Sequence, residues 1–203
     1  MRVLKGAAAG LGPAGGRIIT TLRAVDRELN HVEFVYRPGE RELAKRFFEL
    51  WDCDVTDRGG TFFTVFIDSS VHDFMNNCFY ASEVTPEQWA LELALQGAMQ
   101  DEVIDGAKHR YLERLSREPQ RSYHLGVRFL DLAHLESTVQ RVAAAGNQDP
   151  DLADRVAVSG VFWPGESGSY SDTLVQAFVR TDLVASGLLT FGQHIELQWQ
   201  PAP

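Results

Sequence analysis

Apolar and polar residues alternate along 30–36, Asn-His-Val-Glu-Phe-Val-Tyr, and this predicts a strand with two unlike faces. Side chains alternate across a strand, so Val32, Phe34 and Tyr36 share one face while His31 and Glu33 share the other. The same alternation opens a second half at 123–129, where Leu125, Val127 and Phe129 lie opposite His124 and Arg128. A third segment, 194–199, sets Ile195, Leu197 and Trp199 against His194, Glu196 and Gln198. Behind the first strand, Pro38-Gly39 turns the chain, and 40–51 places Leu43, Phe47, Phe48 and Trp51 on one helical stripe. A short strand over 52–56, a turn at Arg58-Gly59-Gly60, an aromatic and β-branched strand over 61–67 and a weaker strand over 77–83 complete the order β-α-β-β-β.

The second half repeats that order. Asp131 is a helix cap before a stripe of Leu132, Leu135, Val139 and Val142, which Gly146 is expected to close. Strands follow over 156–163 and 173–180, with the polar loop 164–168 between them, and the strand carrying Glu196 comes last. Between the halves, Thr85-Pro86-Glu87-Gln88 reads as a capping box, starting a helix over 86–99. A second helix, 103–115, follows until Pro119. The expected organisation is therefore an N-terminal tail and lead-in over 1–27, a first module over 28–84, a helical linker over 85–120 and a second module over 121–203.

Composition narrows the function classes. A formal net charge of −9 leaves no basic stripe to neutralise phosphates, so no nucleic-acid partner is expected, and the same acidity disfavours an anionic membrane surface. No apolar run approaches the length of a membrane span. The 2 cysteines, Cys53 and Cys78, make neither a disulfide framework nor a zinc knuckle, and the expected compartment is the reducing cytoplasm.

The polar strand faces carry the candidate chemistry. His31 and His124 occupy matching positions, and Glu196 stands on a strand otherwise apolar at alternate residues. Two imidazoles and a carboxylate suit Fe(II), Mn(II), Zn(II) or Ni(II), with positions left for substrate or water. The non-metal alternative is an ion pair from Glu196 to Arg128. Glu33 reads either as a general base beside His31 or as an edge-strand charge, and His194 either as a proton carrier or as a rim residue. Cys78 reads as a small core residue, and Gly59-Gly60 lacks the strand-loop-helix setting of a phosphate loop. Phe62, Phe66, Phe79, Phe162, Trp163 and Phe178 are available to line a ligand site or to fill the core.

With its two βαβββ halves, and with His31-Val32-Glu33-Phe34, His124-Leu125-Gly126-Val127 and Gly192-Gln193-His194-Ile195-Glu196-Leu197 in place, the chain resembles the vicinal oxygen chelate superfamily over 30–200. That is the glyoxalase, bleomycin-resistance and extradiol dioxygenase fold. The resemblance implies an α+β protein of two paired βαβββ modules whose curved sheets form a cup, with metal ligands on the first and last strand of each module. By it His31, His124 and Glu196 match ligand positions, and a fourth falls near Glu83. It also implies a metal-dependent enzyme of glyoxalase or dioxygenase type, whose cation chelates vicinal oxygens of a small organic substrate; Glu33, Glu83 or His194 are the candidate proton carriers. A metal-free protein that sequesters a small aromatic or amphipathic ligand is the alternative. The long linker leaves open whether modules pair within one chain or between two copies in a homodimer.

Overall fold

In the computed structural model, which describes residues 29–201, the first alternating segment forms β1 (His31–Tyr36), parallel to β4 (Cys78–Glu83). Between them lie α1 (Arg41–Glu49), β2 (Asp54–Thr56) and β3 (Phe62–Phe66), and the two strands run antiparallel to their neighbours. The linker forms α2 (Pro86–Ala98) and α3 (Glu102–Arg117). The second half then lays down β5 (His124–Phe129), α4 (Leu132–Gln148), β6 (Val156–Phe162), β7 (Val175–Thr181), β8 (Val184–Ala185) and β9 (Gln193–Trp199). The sheets read β2-β3-β4-β1-β8 and β5-β9-β7-β6, and both are open. Without β8, each half is one βαβββ module with its first and last strands parallel, so the fold is α+β with two such modules, as expected. The tail and lead-in over 1–27 lie outside the described residues.

One core serves both modules. Phe34, Tyr36, Phe63, Val65, Phe79 and Ala81 of the first sheet and Val127, Phe129, Ala177, Val179, Ile195 and Leu197 of the second belong to a single buried cluster. Helix α1 touches both sheets: Phe48 meets Phe34 and Phe79 edge-on or tilted at 5.5 and 6.0 Å, while Phe47 and Trp51 line a gap with Val179, Ile195 and Leu197. Burying aromatic rings of this size contributes about 1.5–3 kcal/mol each. The polar strand faces turn away from the shared core, by the period-2 rule.

Charged groups add specificity to this pairing. Arg155 holds both Glu40 oxygens at 2.8 Å and reaches Asp182 at 2.9 Å, Arg37 meets Asp182 at 2.8 Å, and Arg46 pairs with Asp149 and Asp151. Glu40 thus serves the second module and leaves the start of α1 without a side-chain cap. Strand β8, which the pattern does not reveal, extends the second half onto the edge of β1, pairing Val184 with Tyr36 and Ala185 with Val35. Two residues are too short to show a period.

The linker helices begin where capping predicts. Thr85 accepts from the Gln88 amide, and Asp101 accepts from Val103 and Ile104. Gln88 does not close the box; its side chain donates to Gly187 and Glu92. Glu92 is fully buried and accepts from the Leu189 amide at 2.8 Å, the Thr190 amide at 2.9 Å and the Thr190 hydroxyl, which ties α2 to the 3-10 turn Leu189–Phe191. Burial alone would raise its pKa, but these donors outweigh burial and hold the carboxyl below its ordinary value. Gly146 departs from its expected role. Helix α4 runs past it to Gln148, because the glycine brings the helix against β6: a Cβ there would sit 2.1 Å from the Val156 carbonyl oxygen. Among the described residues, no helix is long and apolar enough to cross a membrane.

Candidate functional site

The polar face of the second sheet brings together two of the four expected ligands. On β5 the His124 ring reaches Glu196 on β9, Nε2 to Oε2 3.2 Å, while its Nδ1 lies 2.9 Å from the Ser122 carbonyl oxygen. One ring nitrogen thus stands in hydrogen-bond geometry beside a backbone carbonyl, and the other lies beside the carboxylate. The other Glu196 oxygen accepts from the Gln176 amide at 2.6 Å, and the Gln176 Oε1 is buried without a partner. Phe178 meets the His124 ring edge-on at 5.3 Å. Glu196 is thus a buried carboxylate that accepts from Gln176 and lies beside the His124 ring, and its alternative partner Arg128 is exposed and forms no part of the pair.

His194 is not on the rim. It is 4% exposed, with Nε2 3.3 Å from the Ser159 hydroxyl. Burial, with the Arg180 and His124 charges adding to it, pushes its pKa down to about 4, so the ring is neutral near pH 7. On β9 this neutral ring is joined to β6 through the Ser159 hydroxyl.

The remaining expected residues stand elsewhere. His31 is exposed on β1, with its Nδ1 beside the Asn30 side-chain oxygen and its ring 4.9 Å from that of Tyr80. Glu33, on the same face, accepts from Ser82 at 2.6 Å. Glu83 belongs to the other face of β4, in step with Phe79 and Ala81, and its carboxylate accepts from the Gly39 amide at 2.9 Å. A one-residue displacement along the strand inverted its expected direction. A divalent ion of the implied kind needs at least three protein donors. His124 and Glu196 approach each other, already engaged with Ser122 and Gln176, while His31 and Glu83 contribute nothing there. Among the described residues no three His, Cys, Asp or Glu side chains gather as a metal site, so the residues present do not fit the implied ion.

The first sheet's polar face forms a different kind of site. Thr56, Arg58, Phe62, Thr64, Phe74 and Tyr80 line a cleft of about 230 Å³. Phe62 stands edge-on to Tyr80 at 5.4 Å, and the Tyr80 hydroxyl donates to the Phe74 carbonyl at 2.6 Å, fixing the loop between β3 and β4 over the sheet. Phe74 packs edge-on against Phe66 at 4.9 Å, and His72 stacks on Phe66 at 4.6 Å while meeting Asp54 at 2.7 Å. Of the aromatics expected to line a site, Phe62 does so, Phe162 and Phe178 meet on the second sheet at 5.9 Å, and Phe79 is core. The pattern gave no hint of Arg58 or Phe74, which stand on loops without a period. Tyr80 shares its face of β4 with Cys78 and Ser82, a face that pairing with β1 and β3 fixes.

Comparison with family models and with curated proteins finds no match. Among solved structures the chain is similar to a glyoxalase/bleomycin resistance protein/dioxygenase family enzyme from Burkholderia phytofirmans PsJN, with 11% identity and a TM-score of 0.40, over 86% of this chain and 100% of that one.

Proposed function

We propose that this protein binds a small, largely aromatic molecule in the first-module cleft, without a metal ion. The observation that carries this reading is the cleft itself, a concave site of about 230 Å³ with Phe62, Phe74 and Tyr80 on its walls and few polar groups among them. The division of the expected metal ligands between two sheets supports it. The volume lies below the roughly 300–1,000 Å³ of drug-sized pockets, which suits a molecule of one or two rings. Phe62 is 48% exposed, so truncating it removes a wall and spares the core. Titration of the purified protein with two-ring aromatic compounds, by calorimetry, tests the reading. Binding should weaken in Phe62→Ala and stay unchanged when EDTA is added. Binding that vanishes with EDTA, or that ignores Phe62→Ala, would overturn it.

A further inference from the structure

Given that reading of the cleft, we infer that its ligand is an aromatic acid, with the ring among Phe62, Phe74 and Tyr80 and the carboxylate on Arg58. The chain is acidic overall, with a net charge of −9, yet the cleft contains a cation and no carboxylate among its lining residues. The nearest acid in sequence, Asp57, is engaged elsewhere, holding Arg41 with both oxygens at 2.9 and 2.7 Å and Lys45 at 3.5 Å. Among the described residues, no carboxylate forms an ion pair with Arg58. Its guanidinium instead lies over the Phe74 ring, 4.9 Å from the centroid. Stacking uses the face of a guanidinium and leaves the N–H groups along its edge free, the geometry that takes a carboxylate through two parallel hydrogen bonds.

The turn that presents Arg58 is built in advance. Asp57 accepts from the Gly59 amide at 2.9 Å, and Gly59 and Gly60 have φ of 79° and 88°, a region that side chains other than glycine resist. Arg41 donates to the Gly60 and Phe62 carbonyls at 3.3 and 3.1 Å, so one side chain ties both ends of the turn. Phe74 is held from behind by Phe66 and through its carbonyl by Tyr80. Cation and aromatic wall therefore meet a ligand with little ordering left to do, which is where affinity is gained in a site this small. Thr56 and Thr64 add hydroxyl-bearing side chains to a lining that is otherwise aromatic.

The test uses the whole chain and two probes of nearly the same shape, 2-naphthoate and its neutral amide, 2-naphthamide, measured by isothermal titration calorimetry. The wild-type protein should bind the acid at least about tenfold more tightly than the amide, about 1.4 kcal/mol. Arg58→Gln should erase that preference and change amide binding by less than about threefold, about 0.65 kcal/mol. Arg58→Lys should keep part of the preference, since it retains the charge and loses the planar fork. Phe62→Ala should weaken both probes alike. Equal binding of acid and amide by the wild type, or an acid preference that survives Arg58→Gln, overturns the assignment of an acid and leaves the cleft reading standing. No binding of either probe, or binding that Phe62→Ala does not weaken, overturns both. Arg58 is exposed on a turn, and unchanged circular dichroism of each variant confirms that the fold is intact.

Discussion

In the first module His31 stands across from Cys78 in the parallel strand pair, and its ring meets that of Tyr80; in the second, His124 stands across from His194 and approaches Glu196. The registers superpose. Two residues beyond each histidine, Glu33 faces Tyr80 and Gly126 faces Glu196, so Tyr80 occupies in the first module the position of Glu196 in the second. On the neighbouring strands Thr64 faces Tyr80 and Phe178 faces Glu196, while Phe62 corresponds to Gln176. One frame has thus been filled twice: once with aromatic rings around a cleft, once with a carboxylate that has an imidazole and an amide beside it. A histidine on the first strand says little by itself. What faces it from the last strand decides whether it meets a ring or a carboxylate.

The largest effect is expected where the frame is polar. Glu196→Ala removes the acceptor of Gln176 and the carboxylate paired with His124, and leaves the amide facing a gap in a region 7% exposed at Glu196. Breaking a buried pair from one side costs about 3–5 kcal/mol, and because His124 keeps some access to water the lower end applies. Urea unfolding should show the loss as a lowered midpoint with an unchanged slope. A loss below about 1 kcal/mol would mean that the two faces differ in composition and not in energetic role.

His194 gives the comparison a pH axis, since its counterpart in register is Cys78, which burial pushes up in pKa. The folded-state pKa of His194 is about 4, against about 6.5 for a free imidazole. The unfolded chain therefore binds more protons between these values, and stability falls as the pH drops. The contribution is present above pH 6.5 and is lost progressively as the pH falls through about 4, amounting to roughly 3 kcal/mol. Subtracting the profile of His194→Phe from that of the wild type isolates it from the carboxylates that titrate in the same range. A flat difference between pH 7 and 4 would show that the ring takes up its proton as readily in the folded protein as in the unfolded chain.

How much of this the sequence disclosed follows from period and range. The strands at 30–36, 123–129 and 194–199 were legible because their alternation is regular and one face of each is buried. Helix starts at Thr85 and Asp131 were legible because capping is local chemistry. Glu83 was misplaced because β4 fixes its faces by pairing with β1 and β3, which no local pattern contains. For the same reason the meeting of His124 and Glu196 was foreseen while the distance of His31 from them was not: the first pair lies on adjacent strands of one sheet, and His31 stands in another. The burial of Glu92 in a linker helix has no local signal, because its donors stand on the distant turn Leu189–Phe191.

The helices differ as the faces do. Helix α1 has 9 residues and ends before Leu50, while α4 has 17 and carries Gly146 against β6. Gly146→Ala should cost about 1–3 kcal/mol, because the added methyl meets a backbone carbonyl that must move with its strand. In a helix free of such contact the same change stabilises by about 1 kcal/mol, so the sign alone decides. A raised melting temperature would show that the close approach of α4 and β6 is not needed.

The smallest effect should come from Tyr80→Phe, which makes the first module the mirror of the Glu196 experiment. The change removes one hydrogen bond, from the phenol to the Phe74 carbonyl, and keeps the ring against His31 and Phe62. A net hydrogen bond is worth about 0.5–1.5 kcal/mol, and the carbonyl left behind lies on a loop that water can reach, so a loss of about 1 kcal/mol or less is expected. The consequence for the cleft should exceed the consequence for stability. Phe74 is both the wall of the cleft and the ring beneath Arg58, and the phenol is the bond that fixes its backbone. Freed of that bond, the loop samples more conformations, and 2-naphthoate should bind a few-fold more weakly because ordering the loop then falls to the ligand. Calorimetry and urea unfolding on the one variant separate the two. Weakened binding with nearly unchanged stability is the signature of a wall held in place for a ligand, whereas a stability loss comparable to that of Glu196→Ala, with binding intact, would make the two faces alike after all.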